Sequence, residues 1–332
     1  MKRKEIVSLI LLVAVIGVGF WQYMNRKYTD IRSRIMLDTI VEISVTSQQK
    51  EIIPIIEKGY DLVEHYEKKF SEYRDSSMVW DINHAEGKPV KIDSEMYEML
   101  QYAEKLYKDT EGAFDISIGT VMNCWDFDEG KKPSKEELAE ALKHVGFDKI
   151  EYNENEITIP VGMQLTLGAI AKGYILDKVA EMLMNEDVAC GHVTTRSSFK
   201  SFGQTTIPRK VGIQHPRKMS EIVAVLNLRN KAIGTSGDYQ KYFEIGYDRY
   251  HHIIDARTGY PVKSTFSVTV LCDNAFMADG LSTALFLMGP QKGTEYIKDV
   301  PGAESIIYYQ DNDEIISLKS LGMKEYLDRE YE

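Results

Sequence analysis

Stretches with strand periodicity and stretches with helix periodicity alternate along this chain without the regular strand–helix–strand rhythm of a doubly wound sheet. That irregularity sets the fold class. Residues 39–45 place β-branched side chains in alternation and read as a strand. Residues 48–70 carry Ile52, Ile55, Ile56, Tyr60, Val63 and Tyr66 near helical spacing, with Pro54 tolerated only close to the start. Asp93-Ser94 suits the cap of a helix over 95–110, whose apolar stripe is Met96, Met99, Leu100, Ala103 and Leu106. A charged surface helix over 131–143 and strands around turns over 150–167 follow. The next helix opens after Gly168 and runs to about Asn185. Residues 210–214, 222–228 and 266–271 read as strands, with a tight turn at 234–239 among them. Residues 279–288 read as a helix stopped by Gly289-Pro290. The pattern predicts an α+β fold, or a mixed α/β sheet.

The chain has 332 residues, 43% hydrophobic and 27% charged, enough for one large domain or two small ones. A net charge of -11 argues against a nucleic-acid surface, because phosphate contacts need clustered Lys and Arg. Cys124, Cys190 and Cys272 show no C-x-x-C spacing, so neither a disulfide framework nor a zinc site is indicated. At the N-terminus Lys2-Arg3-Lys4 precedes an apolar run over 6–21, with no small-x-small cleavage site and no lipid-accepting cysteine after it. A helix apolar all round does not pack as a surface helix of a globular domain. Residues 1–27 therefore read as an uncleaved signal anchor, with Trp21 and Tyr23 at the interface and residues 28–332 outside the cytoplasm at the cell membrane.

Two runs concentrate chemistry. His251-His252-Ile253-Ile254-Asp255-Ala256-Arg257-Thr258-Gly259-Tyr260-Pro261 gathers two imidazoles, a carboxylate and a guanidinium before a turn. In Ala278-Asp279-Gly280-Leu281-Ser282-Thr283-Ala284, Asp279 and Thr283 are four apart and share one helix face. A carboxylate beside a hydroxyl suits a hard cation such as magnesium, although the same spacing also occurs on solvated helix faces. Gly168-Ala169-Ile170-Ala171-Lys172-Gly173 offers free backbone N–H groups and a lysine at a helix start, a plausible phosphate cradle. It is not the P-loop spacing, and many structural turns share it.

The order of motifs resembles the ApbE family of FAD:protein FMN transferases over about residues 34–309. The motifs are Met36-x-Asp38-Thr39, Phe70-Ser71-x-Tyr73-Arg74, Glu111-Gly112-Ala113-Phe114-Asp115-Ile116, Leu167-Gly168-Ala169-Ile170-Ala171-Lys172-Gly173-Tyr174, Val211-Gly212-Ile213-Gln214, Thr235-Ser236-Gly237-Asp238-Tyr239, His252-Ile253-Ile254-Asp255-x-Arg257-Thr258-Gly259 and Ala278-Asp279-x-x-Ser282-Thr283-Ala284. The resemblance implies one flavin transferase domain over 28–332 that uses FAD and magnesium. Such enzymes split the pyrophosphate of FAD, transfer FMN to a Ser or Thr hydroxyl of an acceptor flavoprotein and release AMP. The acceptor implied here is an extracytoplasmic component of membrane electron transfer. By the same resemblance Asp279 and Thr283 hold the magnesium with the Ala169 carbonyl, and Ser282 lies close by. His252 is the candidate base, oriented by Asp255. Met36, Tyr73, Ala113, Phe114, Asp115, Lys172 and Ile253 match positions that line the FAD.

The chain departs from the pattern in the flavin site. Thr166 stands where members usually carry Asp. Val193-Thr194-Thr195-Arg196-Ser197-Ser198-Phe199 replaces a strand ending in Asn/Asp-x-Gly-Gly-Asp/Asn. An arginine at that turn either fills part of the pocket or, as a phosphate-seeking group, contacts a differently placed ligand. Three readings follow: an active transferase, a hydrolase that gives FMN and AMP, and a binding module that keeps the fold without the activity.

Overall fold

The computed structural model describes residues 3–331 apart from 187, 206 and 313, and in the first helix not the side chains of Glu5, Ile6 and Leu9. Eight strands form the main sheet, and their order across it is their order along the chain: β1 Tyr28–Met36, β2 Thr39–Ser47, β3 Val188–Thr194, β4 Ser198–Gly203, β5 Ala232–Gly237, β6 Ser267–Cys272, β7 Glu304–Asp311 and β8 Glu314–Lys319. Every neighbouring pair is antiparallel. The mixed, non-doubly-wound class expected from the sequence is the one observed.

The helices used below are α1 Arg3–Met24, α2 Ile53–Phe70, α3 Ser94–Asp109, α4 Ala171–Met184 and α5 Ala275–Met288. Pro54 sits in the first turn of α2, where its missing N–H costs nothing, and the helix buries Ile55, Ile56, Tyr60, Val63, Tyr66 and Phe70. Asp93 caps α3 by accepting the Met96 N–H at 3.1 Å. The stripes of α2, α3, α4 and α5 meet β2 and β6 in one large core. On the opposite face of the sheet, Phe199, Ile233, Leu271 and Ile306 pack against Ile213, Val223, Leu226 and Leu228. Those belong to a three-stranded sheet of Arg209–Gln214, Ile222–Leu228 and Leu327–Glu330. The main sheet is thus covered on both faces, by helices on one side and a small sheet on the other.

Several boundaries differ from the periodicity: the helix read over 48–70 starts at Ile53, and the one read over 131–143 spans Lys135–Ala141. α5 begins at Ala275 rather than 279, because Asn274 accepts the Met277 N–H at 2.8 Å and fixes the first turn upstream. The tight turn expected at 234–239 is the strand β5 as far as Gly237, inside the sheet. Gly234 is there for close approach: a Cβ on it would lie 2.4 Å from the Ala278 carbonyl of α5. Gly173 of α4 stands in the same relation to α5, with a Cβ 2.1 Å from the Ala275 carbonyl oxygen. These two positions let α5 lie directly on α4 and the sheet.

The N-terminal anchor finds no support at this level. Among the described residues no helix is long and apolar enough to cross a membrane, and Lys2 of the cationic flank lies outside them. The residues from Arg3 to Met24 are helical, and apolar side chains along α1 such as Ile10, Val15, Phe20 and Trp21 are all more than half exposed.

Gly234→Ala is expected to destabilise the domain by about 1–3 kcal/mol through overpacking against α5. Thermal melting checks this, and an unchanged Tm would show that α5 can retreat from β5 without cost.

Candidate functional site

The site begins with two helices, each of which sends a carboxylate to the other's N-terminus. No side chain of its own caps α4 at Ile170. Asp279 of α5 accepts the Gly173 N–H at 2.9 Å, so a carboxylate sits at the positive end of the α4 dipole. In return Asp177 of α4 accepts the Ala275 N–H at 3.0 Å and the Phe276 N–H at 2.8 Å at the start of α5. The second oxygen of Asp279 accepts from the Ser198 hydroxyl at 2.9 Å. Burial pushes the Asp279 carboxyl pKa up, opposed by the charge of Lys172 and by these two hydrogen bonds.

Hydroxyls surround the same stretch of α5. Ser282 donates to the Asp279 carbonyl at 2.8 Å, and Ser236 of β5 lies 2.9 Å from the Ser282 hydroxyl and 3.0 Å from that of Thr283. Asp279 and Ser282 are buried, while Thr283 and Ala169 are partly exposed. The donor set expected for magnesium is oxygen only. Among the described residues no group of three or more His, Cys, Asp or Glu forms a metal cluster. One carboxylate with hydroxyl and carbonyl oxygens still fits magnesium, which commonly takes one or two protein carboxylates and completes its shell with water and substrate phosphates.

A cleft of about 800 Å³ opens beside this cluster. Lys172, Ser197 and Thr235 line it, and each immediately precedes a residue bound into the cluster: Gly173, Ser198 and Ser236. Asp279 therefore stands one layer behind the wall. The far wall is the turn between β1 and β2, where Leu37 and Asp38 both hold a φ of 55° and the Leu37 N–H donates to Glu67 at 2.9 Å. Tyr73 stands at the mouth, 74% exposed.

His252 also lines the cleft. Its Nδ1 lies 3.2 Å from the Lys241 carbonyl, which only accepts; Nδ1 therefore carries the proton and Nε2 keeps a free lone pair. Burial, then the adjacent His251, lowers its pKa to about 4, so the imidazole is neutral at neutral pH. Lys172 contributes to that lowering and also favours the charged form of Asp279; one cation links the two groups electrostatically. Lys172 itself donates to the Gly168 carbonyl at 2.9 Å.

Several sequence-predicted residues lie elsewhere. Asp255 does not orient His252. Its carboxylate is gripped by Arg257, from Nε at 2.9 Å and Nη2 at 2.6 Å, and the Lys241 carbonyl holds the imidazole instead. Asp115 is a buried turn carboxylate that accepts the Ser117 N–H at 2.8 Å and the Phe147 N–H at 2.9 Å. Phe114 and Ile253 are core residues, and Ala113 is buried beside a separate cavity of about 310 Å³. Met36 packs on the core while its neighbours Leu37, Asp38 and Thr39 take the cleft wall. Thr166 is partly buried and accepts the Gly168 N–H at 3.4 Å, directly before Leu167 and Gly168 on the wall. The residues missed by sequence reasoning are Ser198, Ser236 and the Lys241 carbonyl. The Ser236 hydroxyl had a signal in the run Thr235-Ser236-Gly237; a backbone carbonyl leaves none.

The model of the ApbE family matches residues 37–307. A protein of Haemophilus influenzae named FAD:protein FMN transferase is 35% identical over 238 residues, 68% of this chain and 69% of its own. One of Treponema pallidum with the same name is 28% identical over 327 residues, 91% of this chain and 90% of its own. Among solved structures, the ApbE protein of Thermotoga maritima superposes with a TM-score of 0.84 at 30% identity, covering 91% of this chain and all of that one. The flavin transferase ApbE of Vibrio cholerae does so with a TM-score of 0.81 at 25% identity, again covering 91% and 100%. With its family motifs spread from the β1–β2 turn to α5 and the fold shared nearly end to end, this chain belongs to the ApbE family.

Proposed function

We propose that this protein is an FAD:protein FMN transferase that splits FAD at its pyrophosphate and moves FMN onto a Ser or Thr hydroxyl of an acceptor protein, releasing AMP. Family membership and the names of its relatives support the reaction class. The observation that carries the assignment to this site is the free Nε2 of a neutral His252 in the same cleft whose wall backs onto the Asp279 cluster.

In this reading Asp279, Thr283 and the Ala169 carbonyl hold magnesium, with Ser282 bracing the helix turn between them. The ion supplies charge neutralisation on the pyrophosphate. Lys172 adds a positive charge along the same wall. The acceptor hydroxyl gives its proton to His252 Nε2 as its oxygen bonds to the FMN phosphorus, and the bond from that phosphorus to the AMP oxygen breaks. The Lys241 carbonyl keeps Nδ1 protonated and the ring fixed throughout. The cleft places the donor for in-line attack.

The same reading attaches the protein to a membrane through α1, whose exposed apolar side chains otherwise face water, and puts the acceptor outside the cytoplasm with residues 28–332. A membrane electron-transfer flavoprotein fits that placement.

Five measurements test these statements. Asp279→Asn keeps the shape of the buried carboxyl but not its charge; it is expected to abolish magnesium-dependent AMP release while leaving the melting temperature within a few degrees. Loss of the fold instead would make Asp279 structural. His252→Ala is expected to lower kcat by about a hundredfold or more. In the free enzyme the base is lost only as pH falls towards about 4, so kcat/KM should hold through neutral pH, and a limb in kcat/KM at pH 6–7 would exclude this imidazole. Finally, flotation on vesicles should recover the full chain and not a chain starting at residue 28. Equal recovery of both, or of neither, would remove α1 from that role. With a threonine-bearing acceptor domain, a fluorescent protein band on a denaturing gel identifies transfer, AMP without a band identifies hydrolysis, and neither identifies a binding module.

A further inference from the structure

We infer that Arg196 binds the diphosphate of the dinucleotide donor in this protein, on a turn built to hold it over the cleft. The inference rests on the transferase reading and adds a donor-binding residue to it.

Residues 195–198 form the tight turn between β3 and β4. The Thr195 N–H donates to the Ser198 carbonyl at 2.8 Å, and the Thr195 hydroxyl accepts the Ser198 N–H at 3.0 Å and the Ser197 N–H at 3.4 Å. The Thr235 N–H of β5 donates to the Ser197 carbonyl at 2.7 Å. Neither Arg196 nor Ser197 takes a positive φ, so the turn needs no glycine and accepts side chains without strain. The turn is also tied to the metal-binding candidate, since Ser198 donates to Asp279. A side chain projecting from it is therefore positioned relative to that carboxylate by a short, hydrogen-bonded path.

Arg196 is exposed, lines the cleft and makes no hydrogen bond or ion pair with any described residue. The other cations of the cleft are engaged: Lys172 with the Gly168 carbonyl and Lys241 with Asp128 at 3.5 Å. Acidic side chains line the same cleft at Asp38, Glu67, Glu72 and Asp128. In a chain of net charge -11, a dianionic ligand entering this space meets repulsion that an uncommitted guanidinium offsets. A planar fork of N–H donors matches adjacent phosphate oxygens in a way that a lysine cannot.

The test uses the full-length protein, with FAD binding followed by flavin fluorescence and inorganic pyrophosphate as competitor, for wild type, Arg196→Ala and Arg196→Lys. Arg196→Ala is expected to weaken both FAD and pyrophosphate by about tenfold or more, with an unchanged melting temperature, and Arg196→Lys to recover part of the loss. FAD binding in Arg196→Ala equal to or tighter than wild type would overturn the inference and leave the transferase reading standing. Weaker FAD with undiminished competition by pyrophosphate would also overturn it, placing the arginine on the ring systems. A wild type that binds no FAD would bring down the transferase reading, and this inference with it.

Discussion

The pair of carboxylates that cap each other's helices, Asp279 onto α4 and Asp177 onto α5, is the constraint on which the rest of this site depends. Helix ends buried without partners are costly; α4 has no N-cap side chain and takes Asp279 instead, while α5, capped by Asn274, gains two further N–H acceptors from Asp177. That exchange is possible only at very short range, hence Gly173 where α4 meets α5 and Gly234 where β5 does. Packing thus comes first, and the carboxylate proposed as a metal ligand arrives as its consequence. Asp279 is fixed by a backbone N–H and a buried hydroxyl before any ligand is present.

A buried carboxylate held this way is under electrostatic tension. Desolvation works against its charge, and what favours the charge is Lys172 first, then one N–H at a helix start and one hydroxyl. A divalent cation at Asp279 would relieve that tension. In the proposed mechanism such a cation would have a single acidic protein ligand and would draw further oxygens from the donor's pyrophosphate, so metal and donor would bind cooperatively.

Much of this was legible in the sequence where side-chain chemistry and helix periodicity coincide. Asp279 and Thr283 on one helix face, Lys172 in the first turn of α4 and His252 on the cleft all fall where the motifs point. What was not legible depends on backbone or on distant pairing. Asp255 and Asp115 look like functional carboxylates in one dimension, but Arg257 and the N–H groups of Ser117 and Phe147 occupy them. The glycines and hydroxyls around Gly234 resemble a turn because a central strand pressed against a helix must be small, and small residues also make turns. The departure at Arg196 was visible as a substitution. Its meaning was not, because whether a turn needs glycine is a matter of φ.

Adjacent imidazoles show how hydrogen-bond accounting separates residues that sequence treats alike. His251 is buried against Phe286; its Nε2 donates to the Val262 carbonyl at 2.7 Å, so its Nδ1 is left to accept the Ile253 N–H at 3.2 Å. Both nitrogens are used. His252, one residue on, uses only Nδ1 and turns its other nitrogen loose at the cleft. A pKa near 4 keeps that nitrogen unprotonated but also makes it a weak base. In the proposed reaction the remedy is the substrate itself: an anionic pyrophosphate in the cleft favours the imidazolium and raises the pKa. The base then gains strength only when there is a donor to attack.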